Sequence, residues 1–417
     1  MFSFPLTHTI TASREILAFT RPADAVLAAF FRQHNKLGRQ ERAAVADTVF
    51  TLLRHYEKIN TVLHDKAATR VREAVLCALA LRGDAACASL HETLSAPEKA
   101  LLTQLQTQDF SGSLNVVAEL PAWLIDTLRG QYDDAHIAAL GQALAQSAPL
   151  DVRVNTLKAR RDKVLAQLQA EGFQATATPY APFGIRFADK PALQRHALYL
   201  DGTLEIQDEG SQLLALLSGA KRGEMVVDFC AGAGGKTLAM GAMMQNAGRL
   251  YAFDVSEQRL AKLKPRLEKS GLSNVTTQLL AHENDARLHR LRGKCDAVIV
   301  DAPCSGLGTL RRSPDLKYRQ SPESVNQLIE LQKNILRSAA ELVAPQGRLL
   351  YATCSLLAAE NTVQIEHFLA ENPAFELLDA QSLLRPYTDV PINGKMMQLS
   401  PLDHQTDGFF AAVLRKC

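Results

Sequence analysis

The sequence has no long hydrophobic run. Although 47% of its 417 residues are hydrophobic, no apolar stretch approaches the ~18 residues that a membrane-spanning helix needs, so no membrane span is expected. It has no marked charge excess either: 46 Lys and Arg against 44 Asp and Glu leave +2, too little for charge alone to identify a polyanionic partner. The seven cysteines are scattered and none has CxxC spacing, which argues against a zinc ribbon or a thioredoxin-like centre and predicts reduced thiols without a metal. The first residues, "MFSFPLTHTITASREIL", lack the basic segment, apolar core and small-residue cleavage site of a secretory signal. A cytoplasmic protein is expected. No internal repeat or low-complexity segment is evident, and the length suggests two to four domains.

What is present divides into three stretches. Residues 1–148 read as helices throughout; in "ERAAVADTVFTLLRHYEKINTVL", Val45, Val49, Leu52, Leu53 and Tyr56 recur at three- and four-residue spacing. Pro121 is placed to open a further helix, and "QSAPL" ends the helical pattern. Residues 149–220 read as a small α+β module: "LDVRVNT" alternates as a strand, "ARRDKVLAQLQAEG" is helical up to Gly172, and "YAPFGIRFA" and "HALYLDGTLEIQ" read as further strands. From 221 to 417 short apolar runs alternate with helices: "EMVVDFC", "GRLYAFDV", "NVTTQLL", "CDAVIVDAP", "QGRLLYATC" and "GFFAAVLRK". That alternation predicts a doubly wound, largely parallel α/β sheet, in which ligands gather beyond the carboxyl ends of the strands.

The residues at those ends carry the chemistry. The first strand runs into "VVDFCAGAGGKTLAM", where Gly232, Gly234 and Gly235 follow Asp228, and glycine is needed where backbone turns sharply against a ligand. A phosphate-binding P-loop would need a glycine at position 230, where Cys230 stands. The dinucleotide pattern G-x-G-x-x-G is not met either. Asp254 ends the second strand twenty residues after Gly234, the spacing at which an acid meets a ribose diol. S-adenosylmethionine therefore fits better than a nicotinamide cofactor, against the plainer reading of a glycine turn and a strand-end acid. Asp285, after the third strand, is either a partner for the adenine amino group or a solvated loop acid.

Two cysteines also end strands, Cys304 in "DAPCSGLGTLRRSPD" and Cys354 in "YATCSL". Either alone reads as a small buried hydrophobe. These motifs, with "DFCAGAGGKT", Glu360 and Asn361 after the second thiol, and the terminal "DGFFAAVL", resemble the Sun/RsmB-like RNA 5-methylcytosine methyltransferases. The small module resembles that family too, through "LDVRVNTLK" and "GTLEIQDEGSQL". The helical segment, through "NKLGRQERAAVADTVFTLLR", is similar to the family's NusB-like domain.

The resemblance implies a Rossmann-like, S-adenosylmethionine-dependent catalytic domain. Cytosine carbon 5 is a poor nucleophile until a thiolate adds to carbon 6. The resemblance assigns that attack to Cys354 and product release to Cys304. Asp301, at the end of the fourth strand, is placed to hydrogen-bond or protonate ring nitrogen 3. The cofactor set is Cys230, Ala231, Gly232, Ala233, Gly234, Gly235, Lys236, Asp254, Asp285 and Asp301. Within it, Cys230 packs or lines the pocket, and Lys236 neutralises the cofactor carboxylate, holds Asp301, or is a solvated residue at a helix start. One departure stands out: the family loop usually reads Ala-Ala-Pro-Gly-Gly-Lys, and this chain has Ala233 in place of the proline, which predicts a softer loop. Cys77, Cys87, Cys295 and Cys417 keep the packing reading.

The implied partner is RNA, and the helical domain suggests ribosomal RNA, with the protein acting as a monomer. Transfer RNA remains an alternative substrate. A DNA cytosine methyltransferase, with Cys304 as nucleophile, and a non-catalytic RNA-binding assembly factor are competing readings. The basic runs "RVNTLKARRDK", "RLHRLRGK" and "TLRRSPDLKYR" are candidate phosphate contacts or solvated faces. Residues 1–145 hold 14 Lys and Arg against 15 Asp and Glu, so they form no general polyanion clamp. Arg32, Lys36, Arg39 and Arg42 would nevertheless share one face, suited to RNA, if that stretch were helical.

Overall fold

The computed structural model describes residues 4–83 and 93–417. Cys87 lies outside the described residues. Of the other cysteines read as packing residues, Cys77 and Cys295 are buried, whereas Cys417 is exposed, one position beyond the last core strand. Among the described residues no helix is long and apolar enough to cross a membrane. The chain forms two compact units, Met1–Ser147 with Thr309–Pro322, and Ala148–Gly308 with Glu323–Cys417.

The first unit is helical, and its core gathers the residues whose spacing predicted helices: Val45, Val49, Leu52 and Leu53 are fully buried beside Ile16, Phe30, Val75 and Leu79. The basic stretch from Arg32 to Arg42 is not one helix. The helix Ala23–Gln33 ends there, and the helix Arg39–Arg54 starts afresh behind Gly38, whose N–H donates to Glu41 Oε2 at 2.7 Å. Arg42 turns inward to close the corner, its Nε donating to the Leu37 carbonyl at 2.8 Å. The four cations therefore lack a common helical face.

Residues Thr309–Pro322, which begin in the second half of the Cys304 motif, pack within this helical unit. The buried Lys317 donates to the Glu119 carbonyl at 2.6 Å and the Arg54 carbonyl at 3.4 Å. Tyr318 Oη donates to Glu57 Oε1 at 2.9 Å, and its ring sits 4.8 Å from that of Tyr56 and 4.9 Å from that of Phe19. Asp315 Oδ2 accepts the Ala23 N–H at 3.2 Å. Lys317 is thus a structural cation in this fold, not a surface phosphate contact. Burial lowers its pKa to about 8, against the pull of Glu119 and Glu57.

The second unit contains two sheets. In the small one, β1 (Leu150–Val154), β2 (Ala175–Ala177), β3 (Gly184–Phe187) and β4 (Leu204–Ile206) pair antiparallel in the order β2-β3-β1-β4. The helix Arg161–Ala170 packs on this sheet through Val164 and Leu168. Only the second half of "HALYLDGTLEIQ" is strand. Ala197–Leu200 is a short helix whose Leu198 N–H is capped by His196 Nδ1 at 3.2 Å, a local bond that apolar spacing does not reveal.

The large sheet is built from β5 (Met225–Asp228), β6 (Arg249–Asp254), β7 (Val275–Leu279), β8 (Cys295–Asp301), β9 (Val343–Thr353), β10 (Phe375–Leu377), β11 (Met397–Leu399) and β12 (Phe409–Lys416). All six apolar runs read as strands are strands here. The order is β10-β12-β9-β8-β5-β6-β7, with β11 also on β12; β5 to β9 are parallel and β12 runs antiparallel to β9. Such strands are covered on both faces, so they read as continuous apolar runs. Val298, Ile299 and Val300 are all buried, and burying side chains of that size contributes about 1.5–3 kcal/mol each. From β5 the chain goes one way to β6 and β7 and the other way to β8 and β9. The crevice at the carboxyl ends of β5 and β8 is therefore the topological switch point.

The titration of Lys317 gives a pH test of the helical unit. A lysine whose pKa falls on folding binds fewer protons folded than unfolded between the two values, so stability rises with pH across that window. Relative to Lys317→Met, the native chain should gain about 1.5 kcal/mol between pH 8 and 9.5. Urea unfolding at the two pH values checks this, followed by the fluorescence of Trp123, the chain's one tryptophan, which lies in this unit. A difference that stays constant with pH would show that Lys317 is not titrating in the folded protein.

Candidate active site

The loop after β5 is shaped by backbone. Gly234 has φ +85°, and a Cβ there would meet Leu263 Cδ1 at 2.0 Å, so any side chain would be strained and would have to displace the buried Leu263. Gly232 has φ +56° with open space where a Cβ would be. Asp254, buried at the end of β6, locks onto this loop: Oδ2 accepts the Gly232 N–H at 2.8 Å and Oδ1 accepts the Ser256 N–H at 2.7 Å. Each oxygen keeps a second lone pair for a ligand hydroxyl. Ala231 joins the loop to β6 through its N–H on the Phe253 carbonyl at 2.8 Å.

Ala233, which replaces the family's proline, has its carbonyl held by Arg266 Nη1. Arg266 in turn binds Glu205 Oε2 on β4 at 2.8 Å from Nη2 and 3.1 Å from Nε. The small module thus props the cofactor loop, and within the module Arg153 Nε on β1 binds Gln207 Oε1 at 2.7 Å. Arg266 and Glu205 had no motif to mark them in the sequence, because they meet only when the helix Glu257–Ser270 and β4 pack together.

Asp228, at the end of β5, is buried. Its Oδ2 accepts from Thr237 Oγ1 at 2.7 Å, and its Oδ1 has no hydrogen-bond partner among the described residues. Burial, with the charges of Asp301 and Asp254 added, pushes its pKa up to about 7 despite the Thr237 bond and Lys236. Asp285 is also buried, not solvated: Oδ2 accepts the Ala281 N–H at 2.8 Å and Oδ1 the Arg287 N–H at 2.9 Å, and these bonds hold its pKa below the usual range. Cys230 is half-buried against the core, and burial beside Asp228, Asp301 and Asp254 raises its pKa well above that of a free thiol. An orphaned carboxylate oxygen, a loop open at Gly232 and an acid with spare lone pairs together fit a nucleoside-bearing cofactor. Among the described residues no cluster could hold a metal ion.

The two thiols, fifty residues apart in sequence, meet. Parallel pairing of β8 with β9 sets Asp301 opposite Ala352, so the loops that follow leave the sheet side by side. Cys304 Sγ lies 3.4 Å from Cys354 Sγ and accepts the Cys354 N–H at 3.3 Å. The bond to Cys354 and burial, followed by the charges of Cys354 and Glu360, raise the Cys304 pKa well above the free value. Lys236 binds Asp301, Nζ to Oδ2 at 2.6 Å. Burial opposes the ammonium charge, but the attraction and hydrogen bond of Asp301 outweigh it and hold the Lys236 pKa above the ordinary value; Cys354 adds to that pull. Of the roles open to Lys236, the geometry shows the bond to Asp301. Asn361 secures the second thiol loop, accepting from Thr353 Oγ1 at 2.5 Å and donating to the Ser355 carbonyl at 3.0 Å.

Two family models match the chain. Residues 215–415 match the 16S rRNA methyltransferase RsmB/F model, and residues 120–194 match an RsmF/B-like, ferredoxin-like domain. A Synechocystis protein named "Probable ribosomal RNA small subunit methyltransferase B" is 33% identical over 313 residues, which cover 73% of this chain and 68% of that one. Ribosomal RNA small subunit methyltransferase F of Cronobacter sakazakii is 35% identical over 312 residues, covering 71% of this chain and 63% of its own. The match thus spans about two thirds of the relatives' length. The crystal structure of a protein titled PH0851 superposes with a TM-score of 0.79 at 25% identity, covering 100% of both chains. The glycine loop, Asp254, Asp285 and both thiol loops all fall within the 215–415 match, and with them the chain belongs to the RsmB/F methyltransferase family, whose cofactor is S-adenosylmethionine.

Proposed function

We propose that this protein methylates carbon 5 of a cytosine in RNA, and that the RNA is ribosomal. The observation that carries the reading is the pair of thiols 3.4 Å apart beside the Lys236–Asp301 ion pair, at the same sheet edge as the cofactor loop. Bound S-adenosylmethionine supplies a methyl group on a sulfonium. Gly232 and Asp254 would receive its ribose, Asp285 its adenine, and the unpartnered oxygen of Asp228 a donor on its amino-acid end.

Cys354 attacks carbon 6 as a thiolate. The Lys236 ammonium is within electrostatic reach and favours that charge. The electron pair displaced from the 5,6 double bond is delocalised toward carbon 5 and ring nitrogen 3. There Asp301 hydrogen-bonds or protonates the nitrogen with a proton passed on from the Lys236 ammonium bound to it, which leaves the lysine neutral and the aspartate charged as before. Once carbon 5 carries the methyl group, its proton must leave and the carbon–sulfur bond must break. Cys304, held as a thiol next to Cys354, gives its proton to the departing sulfur and is reloaded by the proton from carbon 5. One thiol attaches and the other detaches.

Cys304→Ala should accumulate a covalent RNA adduct, and Cys354→Ala should form none, on denaturing gels with RNA and S-adenosylmethionine. An adduct in the Cys354 variant would exchange the two roles, as in DNA cytosine methylation. Bisulfite mapping of ribosomal RNA from cells lacking the protein identifies the target, and a full complement of methylated cytosines in that RNA would move the substrate elsewhere.

Asp228 gives a second test. Its raised pKa means that the folded state binds more protons than the unfolded one between pH 3.8 and about 7, so its burial costs stability as pH rises through that window. Asp228→Asn should therefore stabilise the cofactor-free protein by roughly 2 kcal/mol more at pH 8 than at pH 5, while weakening S-adenosylmethionine binding. Thermal unfolding with and without cofactor reads both effects. Equal stability changes at the two pH values would show that Asp228 is not held near neutrality.

A further inference from the structure

Glu360 has no exposed surface and lies under both thiol loops. Its Oε1 accepts the Ser305 N–H at 2.8 Å and Gln332 Nε2 at 2.9 Å; its Oε2 accepts the Ser305 hydroxyl at 2.5 Å and the Ser355 hydroxyl. Ser305 follows Cys304 and Ser355 follows Cys354, so one carboxylate holds the residue next to each thiol. All four donors are neutral. A buried carboxylate satisfied only by neutral donors costs more to bury than a neutral amide of the same shape, and packing alone does not require the charge. Gln332 extends the same bridge: its Nε2 also reaches the Pro303 carbonyl at 3.0 Å, and its Oε1 accepts from Gln364 Nε2 at 3.2 Å.

We infer that Glu360 is a positioning residue for methyl transfer, clamping the Cys304 and Cys354 loops together through Ser305 and Ser355. The inference rests on the covalent reading above and adds a residue to it. The clamp sets the distance between attaching and detaching sulfur, and its charge separates their tasks. The titratable groups facing Cys304 are Cys354, Glu360 and Tyr351; the Tyr351 hydroxyl donates to the Glu360 carbonyl at 2.7 Å. The negative charge of Glu360 opposes a thiolate at Cys304 and keeps there the proton that release requires. Glutamine is isosteric but has one acceptor oxygen where the carboxylate has two, so it cannot receive all four donors, and it carries no charge.

Glu360→Gln in the full chain should lower kcat for RNA methylation by ~10- to 100-fold, the scale of a misplaced reacting group, with the RNA KM and the dissociation constant for S-adenosylmethionine unchanged. The pH at which Cys304 is alkylated by iodoacetamide, followed by mass spectrometry, should fall by about half a unit or more. If Glu360→Gln does not fold, the Ser305→Ala and Ser355→Ala variants, which keep the carboxylate and loosen one loop each, should each lose ~10-fold in kcat at unchanged cofactor affinity. A kcat within twofold of native in these variants, or a loss that tracks cofactor affinity, would overturn the clamp. Failure of Cys304→Ala to trap RNA would instead overturn the covalent reading, whatever the Glu360 variants show.

Discussion

The parallel pairing of β8 with β9 is the constraint on which the site depends. Strand pairing sets register by backbone hydrogen bonds, and here that register sets Asp301 beside Ala352. Everything after those residues leaves the sheet on the same edge. A one-residue slip of β9 against β8 would exchange its two buried faces and spoil both cores, so the packing that buries Val298, Val300, Leu349 and Tyr351 on one face and Ile299 and Leu350 on the other also enforces the closeness of the two thiols. The hydrophobic effect thereby holds reactive groups in place from within the core.

The same edge explains why the site is crowded with negative charge. Asp228, Asp254 and Asp301 end three parallel strands, and Lys236 is the cation among them. Each acid has a different solution to the burial cost. Asp254 takes two backbone amides, Asp301 takes the lysine, and Asp228 takes one hydroxyl and keeps an oxygen unpartnered.

The small module belongs to this logic. Glu205 lies on its edge strand β4, and its partner Arg266 connects the cofactor loop to the antiparallel sheet, while Arg153 on β1 binds Gln207 within the module. The guanidinium of Arg266, from a helix distant in sequence, holds the carbonyl of Ala233 in the cofactor loop.

The sequence by itself determined the strand ends. Apolar runs bounded by Gly, Pro and Asp fixed where β5, β6, β8 and β9 stop, and hence that Asp228, Asp254, Asp301, Cys304 and Cys354 stand at one edge, because alternation and turn chemistry are local properties. Tertiary structure alone decided which of those residues touch. The 3.4 Å between the thiols, the Glu360 clamp beneath them and the Arg266 bond to the loop depend on register and on helix packing across tens of residues. The same holds for the basic runs: the run holding Lys317 read as phosphate contacts or a solvated face, and Arg32, Lys36, Arg39 and Arg42 as one face only if their stretch were helical. Whether a long side chain turns outward to water or inward to a carbonyl is set by what lies behind it in space, and charge pattern along a chain carries no record of that.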